Sequence, residues 1–173
     1  MKHLVLLTLL TCAACAQTGS GGDSIPFGMG AQTCAPGHVQ PNFARLESEL
    51  KAARTRWKAA RIQNYGYDFA RIAAPVRYPN VRVKVVRGRI TDIAPQNPLE
   101  NIDTDRLHIG PVEALFSEIA RAITYQRNQP CADLRVTYNA ADGHPTTFYS
   151  GSRFSPQADG SAEWRVTNFS ARP

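Results

Sequence analysis

Residues 42–70, NFARLESELKAARTRWKAARIQNYGYDFA, change their apolar period partway along, and that change decides the fold class. Phe43, Leu46, Leu50, Ala53, Trp57 and Ala60 recur every three or four positions, which places all six on one face of a helix. Asn42 stands where a side-chain N-cap belongs. Glu47 and Lys51 form an i,i+4 pair on the solvent side, and Asn64 marks the stop. Immediately afterwards Tyr65, Tyr67 and Phe69 alternate with Gly66, Asp68 and Ala70, the period of two expected of a half-buried strand.

The pattern continues toward the C-terminus. Pro75 and Pro79 end the first strand. Val81, Val83 and Val85 then alternate with Arg82 and Lys84, and Arg87-Gly88 turns the chain back through Ile90 and Ile93, a hairpin with a basic outer face. Pro95 to Gly110 is polar and turn-rich, a long loop. Pro111 suits the first turn of a second helix, whose apolar face is Val112, Leu115, Phe116, Ile119 and Ile123 and which frays near Tyr125 to Asn128. Three strands follow: one through Leu134, Val136 and Tyr138, a return from Pro145 to Tyr149 after the Asn139 to Gly143 turn, and one from Glu163 to Phe169. Helices separated by runs of strands imply an α+β fold. The expectation is an antiparallel sheet of five to six strands packed by two helices, in the order α-β-β-β-α-β-β-β. Each half reads helix, strand, hairpin, so an internal duplication is one reading of the pattern, although the halves share little sequence.

Toward the N-terminus the character changes. Lys2 and His3 precede an apolar run from Leu4 to Leu10 and then small residues and cysteines, the layout of a secretory signal over residues 1–16. That run is far shorter than the roughly 20 residues that cross a bilayer. Two cleavage readings compete. Ala14-Cys15-Ala16 fits cleavage before Gln17 and a freely secreted product, whereas Ala13-Ala14-Cys15 resembles a lipobox, with Cys12 where Leu, Val or Ile is usual, and makes Cys15 the lipidation site. The Gly/Ser-rich stretch after Cys15 favours the lipid-anchored reading. Residues 17–41 hold six of the 12 glycines and three of the 12 prolines, and read as a tether or ordered arm leading to a single domain over residues 42–173.

Once the leader is removed and Cys15 is lost or acylated, Cys34 and Cys131 remain. An even pair in an oxidising compartment predicts one disulfide, stapling the arm to the loop after the second helix; the alternative is two independent thiols. The net charge of +6 rests on 20 basic residues against 14 acidic ones, with no run of five or six like charges. Charge gives no support to nucleic-acid binding, and export argues against it.

The Leu50 to Trp57 helix segment, Asn64-Tyr65-x-Tyr67, Val81-x-Val83-x-Val85-x-x-Gly88, Val112-x-x-Leu115-Phe116, Val136-x-Tyr138-x-x-x-x-Gly143-x-Pro145 and Val166-x-x-Phe169 together resemble a bacterial envelope or lipoprotein family, domain of unknown function 6174, from about residue 45 to 170. The resemblance implies a small envelope or secreted protein and brings no catalytic residues. Members of that family look to carry cysteines just after the Tyr-x-Tyr strand, where this chain has Ile72, Ala73 and Ala74.

Chemistry-bearing motifs are sparse. His38, His108 and His144 lack metal spacing, so no metal or cofactor is expected. Glu100, Asp103 and Asp105 offer oxygen ligands without an EF-hand pattern. Ser150-Gly151-Ser152 lacks the nucleophile-elbow spacing, and Gly19 to Gly22 belongs to the tether rather than to a phosphate loop. Candidate binding residues are Tyr65 and Tyr67, with Trp57 and Trp164, as a groove, and Arg82, Lys84, Arg87 and Arg89 as a basic face for a polyanion or lipid headgroup. The leading reading is a non-enzymatic envelope module that binds a protein, peptide or envelope polymer, an inhibitor-like domain being one version of it. An enzyme with a site near Asp142 and His144, or a structural envelope component, is the alternative.

Overall fold

A computed structural model describes residues 33–73, 76–100, 108–155 and 161–172. The leader, Cys15 and most of the arm lie outside the described residues, as do Asp103 and Asp105. The elements are β1 (Thr33–Cys34), α1 (Phe43–Ala60), β2 (Asn64–Ala73), β3 (Val76–Arg77), β4 (Val81–Val86), β5 (Arg89–Pro95), α2 (Val112–Gln126), β6 (Ala132–Tyr138), β7 (Pro145–Ser152), β8 (Phe154–Ser155) and β9 (Ala162–Arg172). The expected α+β class and order hold, with short β1, β3 and β8 added. Helix α1 begins where the sequence places it, with the Asn42 side chain accepting the Arg45 N–H at 3.0 Å. It ends at Arg61, which takes a left-handed conformation.

The main sheet is antiparallel throughout, in the order β5-β4-β2-β9-β7-β6, with β3 folded back on the end of β2. Arg87 and Gly88 both have positive φ, 51° and 72°, as a tight primed hairpin turn between β4 and β5 requires. Both helices lie on one face: the Tyr65 ring meets Trp57 of α1 edge-on at 5.4 Å, and its hydroxyl meets the start of α2. Helix α2 carries the chain from one edge strand, β5, to the other, β6.

This topology rules out a superposable duplication. Seen from the helix side, both three-strand runs, β2-β4-β5 and β6-β7-β9, progress across the sheet in the same lateral direction, yet their first strands point opposite ways. A rotation that reverses strand direction while keeping both helices on one face also reverses lateral direction. No rotation therefore overlays the halves.

The core lies between the helices and the inner sheet face. Leu46, Leu50, Ala53 and Trp57 of α1 and Leu115, Phe116, Ile119 and Ile123 of α2 pack with Tyr65, Tyr67, Phe69, Val81, Val83, Val85, Phe148 and Trp164. Tyr65 and Tyr67 are 1% and 0% exposed, so they do not form the binding groove considered from the sequence; Trp57 and Trp164 are buried with them. The Tyr65 hydroxyl accepts the Val112 N–H at 2.9 Å and the Tyr67 hydroxyl donates to the Gly110 carbonyl at 2.5 Å. Pro111, the residue before α2, gives no side-chain cap, so the Tyr65 phenol does that work. Burial pushes both phenols well above their ordinary pKa. Tyr65→Phe is expected to leave the Val112 N–H unsatisfied and to cost about 1–3 kcal/mol, measured by urea unfolding with an unchanged slope.

Cys34 and Cys131 form the expected disulfide across a sequence separation of 97. Around it the described end of the arm, from residue 33 on, is built into the fold. β1 pairs with β8, the Ala35 N–H donates to the Arg153 carbonyl at 2.8 Å, and the Gln40 amide donates to the Gln129 carbonyl at 3.1 Å.

Candidate functional site

Strand alternation that sends Val81, Val83 and Val85 inward sends Arg82 and Lys84 to the opposite face, which neither helix covers. That outer face is ordered by cross-strand polar contacts. Arg82 donates to Asp68 at 2.9 Å, to the Asn168 carbonyl at 2.9 Å and to the Ser170 hydroxyl at 3.2 Å, while the Asn168 amide donates to the other Asp68 oxygen at 2.7 Å. The Arg82 guanidinium lies over Gly66, where a Cβ would collide with it. Farther along, Arg135 sits 4.3 Å above the Tyr149 ring, Asp133 binds both Arg135 and Arg153, and Glu163 binds Arg165.

Burial alone raises the Asp68 pKa, but hydrogen bonds from Asn168 and Arg82, with the Arg82 charge, outweigh it and hold the carboxyl below its usual range. A depressed folded pKa means stability that is present above the unfolded value of about 3.9 and is lost as pH falls through the folded one. Asp68→Asn is therefore expected to be less stable than the parent at neutral pH. The gap should narrow as denaturation curves are taken at successively lower pH, below about 4.

The four basic residues expected to act together are divided. Arg82 is neutralised by Asp68, and Lys84 stands opposite Asp92. Arg87 and Arg89 project at the hairpin tip, which the Asn64 side chain and the Gln63 carbonyl tie to the end of α1 through the Arg87 and Gly88 N–H groups. A single continuous basic face does not form.

Asp142 and His144 come together in the β6–β7 turn. His144 Nδ1 lies 2.6 Å from Asp142 Oδ1, and its ring, 4% exposed, stacks on Phe169 at 4.0 Å. The Asn139 side chain accepts the Ala141 and Asp142 N–H groups, which closes the turn. An aspartate-oriented imidazole has the geometry of a general base. Among the described residues, however, no serine or cysteine side chain hydrogen-bonds to it. The pair braces the turn internally, and the turn meets α1 at Gly143. Gly143, at φ 83°, fits there because a Cβ would run into the Ala53 carbonyl. Gly143→Ala should combine that collision with left-handed strain and lower stability by about 1–3 kcal/mol, read by thermal unfolding.

One cluster escaped the sequence reading. Arg71, at the end of β2, reaches Glu118 of α2, its Nη2 donating to both carboxylate oxygens at 2.9 and 2.8 Å. The two side chains are only 11% and 23% exposed, and Arg71 Nε is buried without a partner. They border a cleft of about 290 Å³ also lined by His108, Gly110, Ala114 and Arg121. A sequence cue existed in Arg71 itself, an inward-facing charge in a strand whose other inward residues are aromatic. Among the described residues no group of three or more histidine, cysteine or acidic side chains is placed to hold a metal ion.

No curated protein matches the chain. The model of one family, described as "Family of unknown function (DUF6174)", matches residues 49–171. That span takes in most of α1, all of α2 and nearly all of the main sheet, and by it the chain belongs to the family of unknown function DUF6174.

Proposed function

We propose that this protein is an exported envelope module, held to a membrane through an acylated Cys15, that binds a protein, peptide or envelope polymer through the outer face of its sheet. The observation that carries this reading is the asymmetry of the fold. Among the described residues both helices pack on one face, and the other carries charged side chains held in place by cross-strand contacts. Side chains ordered before a partner arrives lose less freedom on binding, which favours recognition over a merely solvated surface. The signal layout of residues 1–16, with Cys15 in a lipobox-like position, and the glycine-rich stretch after it support the address and the tether.

Two measurements test it. Intact mass of protein extracted from membranes should show a lipid adduct on Cys15; a chain beginning at Gln17 would replace the anchor with free secretion. Photo-crosslinkers at Thr167 and Arg165 on the outer face should give a discrete adduct in living cells, and crosslinkers at Lys51 and Ser117 on the helices should not. Adducts from the helix positions alone would overturn the outer-face assignment.

A further inference from the structure

We propose that the cleft between β2 and the first turns of α2 is a binding site for a compact oxyanion, a carboxylate or phosphate group, received by Arg71 and Arg121. It lies beside α2, away from the outer sheet face, and stands independently of the reading above.

Three observations converge. The first is the way Arg71 is used. A guanidinium normally meets a carboxylate with two nitrogens in parallel. Here Glu118 places both oxygens on Nη2 alone, leaving Nε buried and without an acceptor. An unmet buried donor is costly, and a second acceptor at this fork would relieve it.

The second is composition. Arg71, Arg121 and His108 line the same concavity of about 290 Å³, against the single carboxylate of Glu118, which Arg71 already engages. Arg71 is held in position by Glu118 and by the Phe69 ring beneath its guanidinium, at 5.6 Å, so its fork is preorganised. The third is the helix start. Gly110 and Ala114 form the adjoining wall, and a Cβ at Gly110 would strike Ala114, so these small residues keep the first turn of α2 close to the cleft. The positive end of the α2 dipole therefore adds to the two arginines.

The test is a titration of the isotope-labelled protein with inorganic phosphate and, separately, with acetate, followed by amide and arginine Nε resonances. At least one anion should give saturable shifts at Gly110, Ala114 and Arg71 Nε, with a dissociation constant on the order of 1 mM. Arg121→Gln, at an exposed position, should weaken binding roughly tenfold, one charged contact's worth. Arg71→Lys keeps the charge beside Glu118 but removes the fork, and should abolish saturation while near-ultraviolet circular dichroism stays native. Arg87→Gln/Arg89→Gln should leave the affinity unchanged. The proposal is overturned if neither anion produces saturable shifts at these residues, or if the Arg87/Arg89 variant weakens binding as much as Arg121→Gln, which would reveal a diffuse ion atmosphere.

Discussion

Trp164→Ala is expected to lose about 3–5 kcal/mol, the range for truncating a buried aromatic. Trp164 is 1% exposed, stacks on Phe148 at 5.2 Å and leans on Phe69 at 5.9 Å, so it joins β9 to its neighbours on both sides, β7 and β2. The β2–β9 pairing is the one that unites the two three-strand runs of the sheet. A cavity here weakens the contact between them rather than a peripheral cluster. A domain of this size has a total stability of about 5–15 kcal/mol, so the variant should melt some 10–20 °C lower or fail to accumulate. The indole Nε1 is buried with no hydrogen-bond partner, which gives the prediction a second part. Trp164→Phe, like the alanine variant, removes that unmet donor, but it keeps most of the ring, so it should cost at least about 2 kcal/mol less than the alanine variant. Equal losses for the two substitutions would contradict this account of the site.

Removing the disulfide is the second large effect. Cys34→Ala/Cys131→Ala releases a crosslink spanning 97 positions and is expected to cost about 2–5 kcal/mol. The loss should have a local signature as well. β1 and β8 contribute two residues each, too few to hold the arm by backbone pairing alone. Hydrogen exchange should rise first at residues 33–40 and at Arg153, whose N–H donates to the Cys131 carbonyl at 2.7 Å. Unchanged exchange in the arm would mean that the Gln40 to Gln129 contact and the β1–β8 pairing suffice without the bond.

Local patterns were legible. Helix α1 runs between the Asn42 cap and the break before Tyr65 because apolar spacing and cap chemistry act within a few residues. Strand β4 and its turn followed from the valine alternation and the Arg87-Gly88 pair in the same way. Aromatic residues were harder to place. Tyr65 and Tyr67 suit either a binding groove or a core with polar handles, and only the position of Val112 and Gly110 beneath their hydroxyls decides for the core. The basic residues of the hairpin share a segment, yet Arg82 is neutralised by Asp68 on the neighbouring strand while Arg87 and Arg89 stand free of the face at its tip.

By itself, the sequence determined the element order, the α+β class and the family resemblance, since each rests on short-range periodicity or motif, and counting cysteines gave Cys34 with Cys131 as the expected pair, which the structure then showed bonded. Only the tertiary structure decided that both helices share one face, that the repeated order is not a superposable duplication, and that Arg71 meets Glu118 across 47 residues. Those outcomes depend on how strands are ordered across the sheet. Strand order is set by long-range burial, and the period of a single strand carries no record of which neighbour will lie beside it.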